Sequence, residues 1–297
     1  MVHGAVGVIG LGNMGGTLAR HLIEAGSRVF GVDPDPARVA EFVARGGTPV
    51  PSSAEVLASA DLVIVCLPTA RALQEVVEGT GGLAEGARPG AVIAETSTLP
   101  LGIKTSAAER IEASGMTLLD CTISGTGGQA QTKDIIYYAS GPLDAYERME
   151  PVLLATGRSR YVGEFGNGSK LKYVANLLVS VHTTAAAEAL NLATNLGLDR
   201  ADTLELLLAG AGASRMLEVR GPLMAARQFP DDSATLMLLA KDVTIIQEVA
   251  RAHGVPTPLL SQVAMLFTAA AATGHGDEDP AVVVEVLDAL SPSSRAG

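Results

Sequence analysis

Ala5-Val6-Gly7-Val8-Ile9-Gly10-Leu11-Gly12-Asn13-Met14-Gly15 is the stretch that decides the fold. An apolar run leads straight into a glycine loop, and the loop opens an apolar-periodic segment through Leu18, Leu22 and Ile23. A second apolar run, Arg28-Val29-Phe30-Gly31-Val32, ends at Asp33. Strand, glycine turn, helix, strand and acid, in that order, are what a dinucleotide site needs. Gly10 permits the tight turn, Gly12 lets backbone approach a pyrophosphate, and Gly15 lets helix and strand pack closely. The helix N-terminus offers free N–H groups and a positive dipole end to the phosphates. An ordinary βαβ turn without a ligand is the competing reading. The acid about twenty residues beyond the loop argues against it.

Asp33 also bears on which dinucleotide binds. A carboxylate at the end of the second strand accepts the ribose hydroxyls of NAD and repels the 2′-phosphate of NADP. Asp35 adds to that repulsion. Arg38, on the next helix, is expected to face away, so NAD is favoured over NADP.

Composition bounds the alternatives. The 297 residues are enough for two domains. Hydrophobic residues make up 47% and charged residues 18%, which supports a sizeable core and argues against disorder. A net charge of −11 without a Lys/Arg cluster makes nucleic acid and anionic membranes poor partners. Trp is absent and aromatics are scarce, so Ala, Leu, Val and Ile must build the core. Cys66 and Cys121 lie far apart in apolar runs and read as buried reduced thiols. His3, His21, His182, His253 and His275 show no metal spacing, so no metal is expected. No secretory signal is legible, and a cytoplasmic location is expected. Val174 to Leu196 comes nearest to a membrane span. It carries Asn176, His182, Glu188, Asn191 and Asn195, and reads as a long, mostly buried helix of a soluble protein.

Strands and helices alternate through the first half. Helices are expected over Ala37–Arg45, Ala54–Ser59, Pro100–Ser114 and Pro142–Ala155. Strands are expected at Thr48-Pro49-Val50, Asp61–Cys66, Ala91–Ala94, Met116–Asp120, Ile135–Ser140 and Tyr161-Val162. The run Asp61–Cys66 is apolar throughout, as in a parallel strand buried on both faces. Beyond Gly166-Asn167-Gly168 only helical patterns remain: Lys170–Leu196, Arg200–Ala209, Ser214–Ala226, Thr235–His253, Pro258–Ala271 and Pro280–Leu290. The tail 291–297 is polar and expected to fray. The fold class is therefore α/β: a Rossmann-type, doubly wound parallel sheet in residues 1–165, then an all-α domain in 166–297, joined by a long helix. Helices apolar on more than one face need more than one partner, so a homodimer or homotetramer through the helical domain is expected.

A cofactor domain implies a hydride to move, and hydride transfer usually needs a proton partner. Lys172 and Asn176 are four apart and share one helix face. The glycines at 166 and 168 would let a substrate or the facing domain approach this first turn. A dry cleft lowers a lysine toward the neutrality an acid–base needs, and Asn176 would bond the same substrate hydroxyl. From spacing alone Lys172 reads more readily as a solvated lysine beside Lys170.

A resemblance shifts that balance. The sequence resembles the β-hydroxyacid dehydrogenase family, the 3-hydroxyisobutyrate dehydrogenase-like enzymes. Four stretches carry it: Val8–Gly15, Asp120-Cys121-Thr122-Ile123-Ser124-Gly125-Thr126, Gly166–Asn176, and Lys241-Asp242-Val243. The resemblance implies an oxidoreductase acting on a short 3-hydroxy acid or its semialdehyde, a small-molecule carboxylate. Lys172 would be the catalytic lysine and Asn176 its positioning partner. Ser124, Gly125 and Thr126 would hold the substrate carboxylate. Gly10, Leu11, Gly12, Asn13, Met14, Gly15, Asp33, Leu67, Pro68, Thr98 and Lys241 would contact the cofactor, with Lys241 closing over cofactor and substrate. For Lys241 a helix salt bridge is the plainer reading, and Asp242 reads as a tether between the domains. This chain departs from the family at three places. Thr126 stands where a second glycine is usual, narrowing the pocket and restricting φ. Ala175-Asn176 replaces paired asparagines, and Cys121-Thr122-Ile123 replaces the usual apolar-Pro-Val. Two alternatives stand beside the dehydrogenase. Imine reductases share the architecture but generally lack a lysine at the position of Lys172. A non-catalytic NAD-binding module would not need Lys172, Asn176, Ser124 and Lys241 together.

Overall fold

The computed structural model describes residues 4–230 and 235–291. The expected fraying beyond Ser291 and the position of His3 lie outside the described residues. The chain divides into two compact units, Met1–Lys172 and Tyr173–Gly297.

In the first unit strands and helices alternate without a break. β1 (Ala5–Ile9), α1 (Asn13–Glu24), β2 (Arg28–Val32), α2 (Pro36–Ala44) and β3 (Thr48–Pro49) open the chain. α3 (Ser53–Ser59), β4 (Leu62–Val65), α4 (Ala70–Glu78), β5 (Val92–Glu95) and α5 (Leu101–Glu112) follow. β6 (Thr117–Ser124), α6 (Gly127–Gln131), β7 (Ile136–Ser140), α7 (Leu143–Leu154) and β8 (Arg158–Tyr161) complete it. The sheet order is β3-β2-β1-β4-β5-β6-β7-β8. The chain winds one way from β1 to β3 and the other way from β4 onward, so the strand order reverses between β1 and β4. That crevice at the strands' carboxyl ends is where open α/β sheets take their ligands.

Alternate residues of the central strands serve two cores. Ile64, Val92, Ala94 and Leu119 belong to one apolar cluster, and Val63, Val65, Ile93 and Leu118 to another. Helices on both faces explain why these strands read as unbroken apolar runs. The sheet is not parallel throughout: β7 pairs antiparallel with β6. The link between them holds only the five-residue α6. That is too short for the crossover a parallel partner needs.

α8 (Asn167–Asn195) begins in the first unit and continues into the second. α9 (Arg200–Leu208), α10 (Arg215–Ala226), α11 (Leu236–Ala252), α12 (Pro258–Ala272) and α13 (Val283–Leu290) follow, with a 3-10 turn at Pro280–Val282. Their core is aliphatic, built on Leu190, Leu217, Leu236, Val243, Leu260 and Val284 around Phe267. α8 is less buried than its composition suggests, for Leu171, Val174, Leu178 and Leu192 are exposed, as is Leu196 just past its end. Among the described residues no helix is long and apolar enough to cross a membrane.

Candidate active site

The glycine loop joins β1 to α1 at the carboxyl edge of the sheet. Gly10 has φ +88°, and a Cβ on it would stand 2.1 Å from the Cys66 carbonyl oxygen. A Cβ on Gly15 would stand 1.9 Å from the Gly10 oxygen. Neither position tolerates a side chain, so strand, loop and helix close up as a pyrophosphate cradle requires. Gly12 is the N-cap of α1 and brings no side-chain cap, so the helix N-terminus at the loop presents its positive dipole end to an anion. Asn13 opens the helix, and Met14 packs against the core beneath it. These residues fit a nicotinamide dinucleotide.

Asp33 has a structural task in the same place. Its Oδ2 accepts the Leu11 N–H at 2.7 Å and its Oδ1 accepts the Asp35 N–H at 2.9 Å. The carboxylate thus ties the end of β2 to the glycine loop. Arg38 does not face away as the sequence suggests. Its Nη1 lies 3.8 Å from Asp33 Oδ2 and its Nε 3.5 Å from Asp35 Oδ2. The same Nη1 is 3.0 Å from where a Cβ on Gly12 would stand. The reason is helical geometry. α2 is capped by the Asp35 side chain and starts at Pro36, so Arg38 lies in its first turn. Side chains there slant back toward the helix N-terminus, toward the acids.

Further along the strand ends, the Leu67 N–H donates to Ser97 Oγ at 2.8 Å, just before Pro68. The Thr96 hydroxyl donates to the Val65 carbonyl at 2.8 Å. This orders the segment that leads to Thr98, which is half-buried. Cys66 is half-buried rather than buried. Cys121 is buried, and burial pushes its thiol up, away from nucleophilic character.

β6 carries its apolar run on to Ser124, beyond the expected end at Asp120. Gly125 follows, where a Cβ would meet Ile135 Cγ2 at 2.5 Å. Thr126 has a structural task of its own. It caps α6: its hydroxyl accepts the Gln129 N–H at 3.2 Å, and its own N–H donates to Gln129 Oε1 at 3.0 Å. Its φ is −89°, so a side chain brings no strain. The capping box, Thr126-Gly-Gly-Gln129, was present in the sequence as a helix start.

α8 begins three residues earlier than its apolar period implies. Gly168, in its first turn, packs backbone to backbone against the sheet. A Cβ on Gly168 would stand 2.3 Å from the Tyr138 oxygen and 2.7 Å from the Asp120 oxygen, so the sheet itself occupies that space. Lys170 is exposed and donates to Asn167 Oδ1 at 3.2 Å, whereas Lys172 is buried. The solvated-lysine reading therefore fits Lys170 and not Lys172. In the second unit, Asn176 is buried and donates from Nδ2 to Asp242 Oδ2 at 2.6 Å. Lys241 Nζ lies 3.2 Å from Asp242 Oδ1. Asp242 thus sets the side-chain amide of Asn176, a role that spacing along the chain does not reveal. Ser180, one turn beyond Asn176, is fully buried.

A further group was missed. Lys104 lies on the buried stripe of α5 with Ala107, Ala108 and Ile111. It meets Glu95 and Asp120, which end or interrupt apolar runs. A lysine at an apolar-stripe position was the available signal.

Comparison with known proteins agrees with this architecture. The family model for the NAD binding domain of 6-phosphogluconate dehydrogenase matches residues 5–166. The model for the NAD-binding of NADP-dependent 3-hydroxyisobutyrate dehydrogenase matches residues 166–287. The L-threonate dehydrogenase of Cupriavidus necator is 32% identical, covering 98% of each chain. The 2-(hydroxymethyl)glutarate dehydrogenase of Eubacterium barkeri is 30% identical, over 98% of this chain and 97% of that one. The crystal structure of a 3-hydroxyisobutyrate dehydrogenase from Salmonella typhimurium superposes with a TM-score of 0.87 at 29% identity, covering 95% of this chain and 99% of that one. With both segments matched and full-length relatives of one chemistry, the chain belongs to the β-hydroxyacid dehydrogenase family and is an NAD(P)-dependent hydroxyacid dehydrogenase.

Proposed function

We propose that the chain moves a hydride between NAD and a short 3-hydroxy acid or its semialdehyde, with Lys172 as general acid–base. The observation that carries this reading is the buried Lys172 one helical turn before Asn176, whose amide is held by Asp242. Nicotinamide, when bound, supplies the hydride-accepting carbon. As hydride leaves the carbinol carbon, the substrate hydroxyl becomes acidic, and Lys172 Nζ takes its proton. Asn176 orients that hydroxyl, because one of its N–H groups is already committed to Asp242. The Ser124-Gly125-Thr126 loop holds the substrate carboxylate. Within it the Ser124 hydroxyl and the Gly125 N–H are the donors in this reading, since Gln129 takes the Thr126 N–H. Leu67, Pro68 and Thr98 are further cofactor residues of this reading, as is Lys241.

The substrate class rests on the relatives, which are named for L-threonate, 2-(hydroxymethyl)glutarate and 3-hydroxyisobutyrate. NAD is favoured over NADP because two acids outnumber one arginine at the end of β2. The reading includes the residue division at 165/166, a cytoplasmic site of action, and a homodimer or homotetramer built on the helical unit.

Absorbance at the nicotinamide band tests it, with those acids, their semialdehydes and a cyclic imine as substrates. Lys172→Ala is expected to lose about 10²- to 10⁴-fold in kcat while NADH binding survives. Lys172→Arg is expected to stay inactive, because a guanidinium does not give up its proton. Near wild-type kcat in Lys172→Ala would remove the mechanism. Faster turnover of the imine than of every hydroxy acid and semialdehyde would favour the imine reductase reading.

A further inference from the structure

Lys104 is fully buried, and its Nζ lies 2.6 Å from both Glu95 Oε2 and Asp120 Oδ1. Glu95 and Asp120 are lateral partners on β5 and β6. Side by side and out of water, two carboxylates repel, and the ammonium between them relieves that repulsion. Burial works against its charge, but the pull of Glu95 and Asp120 outweighs that and raises Lys104 above the usual lysine value. A buried ion triad stabilises little compared with apolar residues of the same volume, so stability alone does not account for it.

Two arms leave this lysine. On one, Glu95 Oε1 accepts the Ser97 N–H at 2.9 Å, and Ser97 Oγ accepts the Leu67 N–H at 2.8 Å. That arm ends on Leu67-Pro68 and the segment preceding Thr98. On the other, Asp120 Oδ2 accepts the Ser169 N–H at 2.7 Å, and Oδ1 accepts the Ser169 hydroxyl at 3.0 Å. Ser140 Oγ accepts the Gly168 N–H at 3.0 Å and donates to the Asp120 carbonyl at 3.1 Å. The Thr122 hydroxyl donates to the Gly168 carbonyl at 2.8 Å. That arm ends on the first turn of α8, just before Lys172. The surplus negative charge of two acids and one lysine lies at the N-terminus of α8, where the helix dipole favours it.

We propose that Lys104 is a positioning residue which, through Glu95 and Asp120, holds the cofactor-lining loops and the first turn of the Lys172 helix in one register. This rests on Lys172 being the acid–base. The two arms are separable by near-isosteric changes in the full-length enzyme. Asp120→Asn is expected to lower kcat about tenfold or more while the KM for NAD stays within about twofold, since small displacements of a catalytic group are costly. Glu95→Gln is expected to raise the KM for NAD about fivefold with a smaller change in kcat. Lys104→Met is expected to show both defects. Amide hydrogen exchange supplies a readout that does not need turnover: faster exchange at Ser97 in Glu95→Gln, at Ser169 in Asp120→Asn, and at both in Lys104→Met. If Lys104→Met does not fold, the two carboxamide variants decide. Variants that only melt at lower temperature, with kcat, KM and exchange unchanged well below the transition, would reduce the triad to a structural group and overturn the proposal. Wild-type enzyme inactive on the whole substrate panel would instead fail the functional reading, and the exchange pattern alone would then uphold or reject the network.

Discussion

In the proposed function Asp33 and Arg38 act on cofactor choice from opposite sides. Reading along the chain found the acid, because an acid after the second strand belongs to the dinucleotide pattern. It did not find the arginine's direction, which depends on where α2 starts. Capping by Asp35 sets that start, and the backward slant of a first-turn side chain brings Arg38 to the acids. The Arg38 side chain is 48% exposed, so its contribution is screened and modest. Arg38→Ala is expected to lower kcat/KM with NADP by about five- to tenfold, the worth of one half-exposed charged contact, and with NAD by less than about twofold. The wild type is expected to keep NAD as the better substrate. A greater loss with NAD than with NADP would remove Arg38 from the vicinity of the 2′ position. Wild-type turnover that is faster with NADP would overturn the reading of Asp33 itself.

At the scale of elements, the sequence was clearest where a helix or strand has a long apolar pattern. β1, α1, β2, β4 and the helices of the second unit follow directly from theirs. α4 was missed although Leu73, Val76 and Val77 set a helical spacing on it. α6 was missed because Gly-Gly-Gln-Ala-Gln has poor helix propensity, and contacts distant in sequence hold it. Gln131 Nε2 donates to Thr17 Oγ1 at 3.0 Å, and His21 Nε2 meets the Ala130 oxygen at 2.9 Å. α13 depends on such contacts as well. Asp288 receives Arg200 at 2.7 Å, Arg227 at 2.7 Å and Asn191 at 2.6 Å. Partial burial works against its charged form, but hydrogen bonds from Arg200 and Asn191 outweigh it and hold the carboxyl below its usual range. A depressed folded-state value stabilises the protein above the unfolded-state value, and the gain is lost as pH falls through the folded-state one. Asp288→Asn is therefore expected to cost about 1–2 kcal/mol near neutral pH. Paired denaturant melts should show the gap from wild type closing as pH falls below the usual carboxylate range. A gap that stays constant into strong acid would mean that packing, not the ion network, fastens α13.

For the whole molecule, the exposed face of α8 is the feature a single chain does not explain. Val174 is 62% exposed, Leu192 59% and Leu196 69%, and Leu171 and Leu178 are exposed with them. Leu171, Val174 and Leu178 follow helical spacing, Leu192 continues it near the other end of α8, and Leu196 follows just past that end. Scattered exposed leucines need no explanation, but a contiguous stripe along one long helix is a surface suited to association. The sequence showed an excess of apolar helix without showing which face would be left over, since that depends on how α9 to α13 pack. Two or four chains joined through this face would bury the stripe, and closed symmetry would repeat the same contact in each. Light scattering of the wild type is expected to give a mass of two or four chains. Leu178→Glu with Leu192→Glu is expected to lower that mass, because each charge would be desolvated on association. The stripe residues lie outside the proposed catalytic set, so the folded fraction should keep its helical circular dichroism. A wild type of single-chain mass at high concentration, or a double variant that assembles as the wild type does, would assign the stripe another use.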